Sequence, residues 1–358
     1  MVNKRTFNPG IAIPPGETLQ EVLDDREMSQ KELADRMGVT PKHINKIIKG
    51  KAAISHEISI KLEHVLSIKA SFWNNLENKY QEDKARLESI DDIDDEEKLL
   101  KSIPYNEIAK LEWVEKTESK LEKVFNLRRF FGVASLNNIS TIQHAAFRKS
   151  KKYEANPYVI ATWLNQAELL ARKVETKAYN RNDLERTIPE FKKLTKLPAK
   201  AAIPKLKMLC SQIGIALVII PHINKTYLNG VTKWISSDKA MIALSLKGAY
   251  EDIFWFTFFH ELGHVIQEKK SELFIDGDEY VSNELEIKAD DFALNSLLKA
   301  EYYNDFVSNK YYLDKVQLRN FAEKNNIHIG IIVGRLMKDG YIEFKDPSYE
   351  QLRRKISY

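Results

Sequence analysis

The sequence predicts a mainly α chain with a small β-sheet (α+β), on three observations. Residues 1–85 break into short helical segments joined by tight turns. Residues 86–200 are charged, helical in texture and poor in glycine. β-Branched apolar runs cluster only between about 213 and 246. At 358 residues the chain is long enough for two or three domains. The expected boundaries are 1–85, 86–200 and 201–358. Apolar residues make up 43% and charged residues 30%, which leaves material for more than one core. The formal charge of +4 permits nucleic-acid binding without arguing for it, so local clusters must decide.

In the first segment, Ser29-Gln30-Lys31-Glu32 has the pattern of a capping box opening a helix through Met37, which Gly38 ends. Thr40-Pro41 then places a cap before a proline at the first helical position, and a second helix runs to about Ile48. Two short helices joined by Gly-Val-Thr form a helix-turn-helix, with Leu33, Ala34, Met37, Val39, Ile44 and Ile47 as its small core. The start of the second helix is expected to face a DNA major groove. The DNA-facing set is Gln30, Thr40, Lys42, His43, Asn45 and Lys46, with the lysines against phosphates. The competing reading is a generic helical bundle with a solvated basic face. Residues 11–80 resemble the HigA-like antitoxins, a branch of the Cro/repressor type. The likeness lies in Pro15-Gly16-Glu17, Ser29 to Ala34, Gly38-Val39-Thr40, Ile54-Ser55 and Phe72-Trp73 with Leu76. That resemblance implies operator DNA as a partner, bound by a homodimer.

In the middle segment an acidic patch, Asp91 to Glu97, marks a linker or a solvated helix start. Pro104, Pro157, Pro189, Pro198 and Pro204 are expected to punctuate the rest into helices. The single cysteine, Cys210, lies among Leu206, Met208, Leu209 and Ile213 and reads as a buried thiol. One cysteine builds neither a disulfide framework nor a thiolate metal site, so a metal here must use His and carboxylates. This usage fits a reducing cytoplasm. The first 15 residues lack an apolar signal core, and no apolar run approaches the ~18 residues of a membrane span. A cytoplasmic protein without a membrane element is expected.

In the last segment Ile215 to Ile220 reads as a buried strand ended by Pro221. Tyr227 to Ile235 and Met241 to Leu246 read as two more, with Asn229-Gly230 and Ser236 to Lys239 as turns. A helix follows over about Tyr250–Lys269 and another over about Ser282–Lys299, with Gly330, Gly334 and Gly340 as later breaks or close contacts.

The first of these helices carries His260-Glu261-Leu262-Gly263-His264. Histidines at i and i+4 share one helix face and can reach one Zn²⁺, while Glu261 beside them can take a proton from water at the metal. The alternative is an amphipathic helix with two half-buried histidines. Against it, Ile253 to Phe259 is nearly all apolar, and two unpaired imidazoles in so buried a helix would be costly unless they bind something. Zinc also needs a third ligand. Glu284, Glu286, Asp290 and Asp291 on the next helix are candidates. Glu286 is favoured as ligand, with Asp290 four residues on to hold a zinc-bound histidine through its other nitrogen. Gly263, Ala289 and Ala293 leave room for close helix approach.

Residues 254–264, followed by Glu286-x-x-Ala289-Asp290-x-Phe292-Ala293, resemble the ImmA/IrrE family of metallo-endopeptidases over roughly 200–340. The stretches Tyr227–Trp234, Ile242–Leu246 and Ile331–Leu336 are similar as well. One departure is Lys299-Ala300, where the family often has Met-Pro after the paired leucines. The resemblance implies a zincin-like fold and Glu286 as third zinc ligand. It also implies hydrolysis of a regulatory protein, such as a repressor or a toxin–antitoxin partner. His222, Tyr280 and His328 are candidates by residue type for stabilising the oxyanion. Two further readings stay open. In one, the chain is a DNA-binding regulator or antitoxin with a non-proteolytic metal domain. In the other, it is a protease toxin silenced by a partner.

Overall fold

The computed structural model describes residues 11–91, 93–142, 156–226, 228–246, 250–268, 273–275 and 283–356. The chain divides into two compact units, Met1–Lys98 and Leu99–Tyr358, so residues 99–200 belong with the second unit.

The first unit contains helices α1 (Pro15–Asp25), α2 (Gln30–Met37), α3 (Pro41–Ile48), α4 (His56–Leu66) and α5 (Ala70–Asp91). Ser29 Oγ accepts the Glu32 amide at 3.1 Å and starts α2. The reciprocal half of the capping box is replaced, because Glu32 Oε1 accepts from Arg36 at 2.6 Å instead. Gly38, at φ 66°, closes the helix in the left-handed region. Thr40 Oγ1 accepts the His43 amide at 3.2 Å and starts α3. Leu33, Ala34, Met37, Ile44 and Ile47 are buried together with Leu19, Leu23, Leu62 and Trp73, and Val39 is partly buried against them. Gly16 lets α1 touch α3, since a Cβ there would lie 2.2 Å from the Ile47 carbonyl oxygen.

In the second unit, helices Pro157–Lys173, Arg181–Leu194 and Ala199–Gln212 precede a four-stranded sheet. Pro189 and Pro204 do not end helices, as the sequence suggested, but lie inside the second and third of these. Each removes one backbone hydrogen bond. Burial of Leu184, Phe191, Ala202, Ile203 and Leu206 on the inner faces offsets that loss. The sheet order is β1 (Ile215–Ile220), β3 (Lys239–Ser245), β2 (Gly230–Ser236), β4 (Leu273–Ile275). β1 runs parallel to β3, whereas β2 is antiparallel to both β3 and β4. The expected Asn229-Gly230 turn is corrected here: Gly230 opens β2 and pairs with Leu244. Tyr227, the expected start of that strand, lies outside the described residues.

A helix spanning Glu251–Ile266, the histidine helix, packs on β2 and β3 and against an acidic helix, Asn283–Leu297. A C-terminal helix, Ile329–Lys338, also packs against it. The histidine helix is covered nearly all round, which accounts for its almost wholly apolar first half. Its N-terminus is tied to the chain's end: Arg353 pairs with Asp252 at 2.8 Å and Arg354 with Glu251 at 2.9 Å. Acids in the first turn also suit the helix dipole. No helix among the described residues is long and apolar enough to cross a membrane.

Candidate metal centre and helix-turn-helix surface

His260 and His264 stand one turn apart, and Glu286 reaches them from the acidic helix. One ligand atom from each lies within 4.8 Å of the others. The two Nε2 atoms are 3.1 Å apart. Glu286 Oε2 is 3.3 Å from His260 Nε2, and Glu286 Oε1 is 3.5 Å from His264 Nε2. A tetrahedral zinc with bonds near 2.05 Å sets its ligand atoms about 3.3 Å apart. The donor set therefore fits a divalent cation in both chemistry and spacing. His264 is fully buried and His260 nearly so. Burial alone would raise the Glu286 carboxyl. Hydrogen bonds and charge from the two imidazoles hold it down, to about 2, so it is anionic at neutral pH.

His260 Nδ1 lies 2.8 Å from Asp290 Oδ1. With a cation bound, a proton on Nδ1 donated to that carboxylate would leave the Nε2 lone pair for the ion, whereas without one Nε2 can donate to Glu286. Of the other acids considered, Glu284 is exposed and pairs with Lys288, and Asp291 is exposed. The geometry thus brings together His260, His264, Glu286 and Asp290 and leaves Glu284 and Asp291 aside. Helix approach is set by Gly263, where a Cβ would fall 2.9 Å from Ala289 Cα.

Glu261 is fully buried between its helix and β2. Thr232 Oγ1 lies 2.6 Å from Glu261 Oε2 and 3.0 Å from its backbone oxygen. At Gly230 a Cβ would come 2.4 Å from Glu261 Oε1. These two β2 residues cradle the carboxylate, and neither was singled out for that role from sequence. Both lie in the Tyr227–Trp234 stretch that resembles the metallo-endopeptidase family, which is the signal that could have found them. Of the oxyanion candidates, His222 Nδ1 lies 3.0 Å from Thr226 Oγ1. His328 Nδ1 accepts the Gly330 amide at 3.1 Å and caps the C-terminal helix. Tyr280 lies outside the described residues.

In the first unit, Lys42 and Lys46 are exposed on α3, with His43 and Asn45 half-buried beside them. Asn45 Nδ2 donates to Gln30 Oε1 at 3.2 Å, and Gln30 Nε2 donates to Gln20 Oε1 at 2.9 Å. This amide chain joins α1, the start of α2 and α3, so it orients Gln30 and Asn45 together.

Capped paired helices with a basic second member define a helix-turn-helix domain, and a family profile described as helix-turn-helix matches residues 19–73. Over 64 residues the chain is 38% identical to the uncharacterised HTH-type transcriptional regulator YddM of Escherichia coli (strain K12), covering 18% of this chain and 68% of that protein. Through this first unit the chain belongs to the helix-turn-helix family. Two similar solved structures are Pseudomonas aeruginosa antitoxin HigA with the higBA promoter and an addiction module antidote protein of the HigA family from Coxiella burnetii. The first is 30% identical over 24% of this chain and 95% of that one, with a TM-score of 0.23. The second is 27% identical over 24% of this chain and 94% of that one, with a TM-score of 0.22.

Proposed function

We propose that residues 201–358, within the second unit, form a zinc-dependent endopeptidase, joined to a DNA-binding helix-turn-helix, that cleaves a specific regulatory protein. The observation that carries the reading is the mutual spacing of the His260, His264 and Glu286 donor atoms; Glu261 adjoins His260 in the chain, and its carboxylate is buried against Thr232. The resemblance to ImmA/IrrE metallo-endopeptidases supports the same chemistry. Zinc held there would supply a Lewis acid for the peptide carbonyl and acidify water near neutral pH. Glu261 then takes a proton from the attacking water as its oxygen bonds to the carbonyl carbon. The C–N bond breaks, and Glu261 passes that proton to the departing nitrogen. Thr232 fixes the carboxylate's rotamer, and Asp290 fixes the His260 ring.

The test compares cells expressing wild type and Glu261→Gln, with new protein N-termini mapped by mass spectrometry and zinc measured in both purified proteins. One zinc per chain in both, with a small set of cuts only in wild type, is the expected result. A repressor or antitoxin among the targets supports a regulatory switch, whereas essential host proteins indicate a toxin. Purified protein without stoichiometric metal sinks the reading.

A second activity rests on the first unit. Family membership and the oriented Gln30–Asn45 pair support operator binding, with Lys42 and Lys46 against phosphates. Gel shifts on the chain's own upstream DNA are expected to weaken when Lys42 and Asn45 are replaced and to be unchanged in Glu261→Gln. Absence of binding to any promoter fragment at low salt removes this activity. DNA binding with full cellular function in Glu261→Gln instead favours a regulator whose metal unit is not proteolytic.

A further inference from the structure

A cavity of about 410 Å³ opens beside the metal-site cluster and shares His260 and Asp290 with it. Its walls come from three helices. Ile253 and Phe256 stand on the histidine helix, Leu294 and Leu297 on the acidic helix, and Ile331 and Ile332 on the C-terminal helix. Lys338 Nζ sits 4.5 Å from the Phe256 ring centroid and covers that ring. Most charged groups in the lining are already engaged. Arg353 is paired with Asp252, each side chain only 7% exposed. Arg335 stacks on Tyr303 at 3.7 Å and donates to the Leu298 carbonyl. Asp290 is held on His260. A charged or amide side chain entering this space would lose water at a cost of several kcal/mol, and only the exposed Lys338 ammonium and the half-exposed Asp290 carboxylate could offset it. A large aliphatic or aromatic side chain would gain from burial.

We propose that this cavity selects the substrate by accepting one large apolar side chain, from the residue adjoining the peptide bond presented to His260, His264 and Glu286. The assignment rests on the peptidase reading. Adjacency supports it: His260 belongs both to the donor cluster and to the cavity lining, and Asp290 of the lining holds its ring. Its volume lies in the lower part of the range for small-molecule pockets, about 300–1,000 Å³, which suits one side chain rather than a folded segment. Gly334 keeps the far wall open to Asp252, since a Cβ there would fall 2.1 Å from Asp252 Oδ2.

The experiment has two arms on the full chain. In the first, a library of unstructured peptides is incubated with zinc-loaded wild type, Glu261→Gln and Leu294→Trp, and the cut sites are mapped. Cuts dependent on Glu261 with Leu, Ile, Met or Phe fixed on one side of the bond, at least tenfold over Gly, Ser or Asp, are expected. Leu294→Trp should shift that preference toward Ala or Val. Cuts with no apolar preference overturn the pocket and leave the peptidase standing. In the second arm, chelator-treated protein with labelled Ile and Leu methyls is titrated with N-acetyl-phenylalaninamide and N-acetyl-glycinamide. Saturable shifts at Ile253, Leu294, Ile331 and Ile332 with the first probe only are expected, and they are lost in Leu294→Trp. With no shifts the pocket is overturned, whatever the cleavage result. Shifts without any cleavage keep the apolar site and remove the peptidase.

Discussion

Thr232 is the residue that holds the Glu261 carboxylate most directly. Its hydroxyl is 2.6 Å from Oε2 of a carboxylate with no solvent exposure. A hydrogen bond to a charged group is worth about 1.5–3 kcal/mol, or roughly ten- to hundredfold in rate if it acts on the reacting state. Thr232→Val keeps the side-chain shape and removes the donor. Its turnover is expected to fall about tenfold or more while zinc stays at one per chain, and Thr232→Ser is expected to recover most of it. Loss of zinc in Thr232→Val would instead make the residue a support for the helix. His328 offers a second test at this scale. Burial lowers its imidazole to about 4, and the Arg354 guanidinium adds to the effect. The neutral ring accepts the Gly330 amide through Nδ1, and protonation there would remove the cap. The folded pKa lies below the unfolded value of 6.5, so the unfolded state binds more protons between pH 6.5 and 4. Stability is therefore full above pH 6.5 and falls as pH drops toward 4, by at most about 3 kcal/mol and by less once its partial exposure to solvent is discounted. His328→Asn keeps an acceptor that does not titrate, and its urea-unfolding free energy should be flatter across that window.

Among the elements, the contact of the histidine helix with the acidic helix brings His260, His264 and Glu286 together. Gly263 sits at the crossing, where a Cβ would press on Ala289 Cα at 2.9 Å and on Phe292 Cδ1 at 3.2 Å. Gly263→Ala gains about 1 kcal/mol of helix propensity, but the overpacking costs about 1–3 kcal/mol. Its thermal midpoint without zinc should fall modestly. The rise on adding zinc should shrink more, because Glu286 is carried away from the histidines. An unchanged zinc increment would show that the ligands adapt without the close crossing. This crossing was legible in the sequence because its parts are local. His260 and His264 are i, i+4, Glu286 and Asp290 are likewise four apart, and small residues mark the contact. The helix-turn-helix was legible for the same reason, with Ser29, Gly38 and Thr40 each acting within a few positions. The cradle of Glu261 was not, because Thr232 lies 29 residues away and reads as an ordinary strand residue until β2 is registered against β3 and β4. The pairing of Arg353 with Asp252 spans 101 residues, and no spacing rule reaches that far.

Across the whole molecule, the two units have separate apolar cores. One is built around Leu19, Leu33, Ile44, Leu62 and Trp73, the other around Trp255, Phe258, Phe259, Ile242 and Leu336. All three candidate zinc ligands lie in the second unit. A ligand that binds only the folded form stabilises what it binds, by about 2.7 kcal/mol at a hundredfold excess over its dissociation constant. For a unit of this size that is roughly 5–10 °C in melting temperature. Calorimetry of the full chain is therefore expected to resolve two transitions, of which zinc raises one and a chelator lowers the same one. Trp113, Trp163, Trp234 and Trp255 belong to the second unit and only Trp73 to the first. Tryptophan emission should therefore follow the zinc-sensitive step. Operator DNA should raise the other transition, and Lys42→Ala with Lys46→Ala should remove that rise while leaving the zinc shift intact. His260→Ala should do the reverse. A single transition that both zinc and DNA displace would mean that the units unfold together, and metal occupancy would then be thermodynamically linked to DNA binding through folding. Two independent transitions would mean that any control by DNA of the proposed cleavage has to act through the substrate rather than through the stability of the second unit.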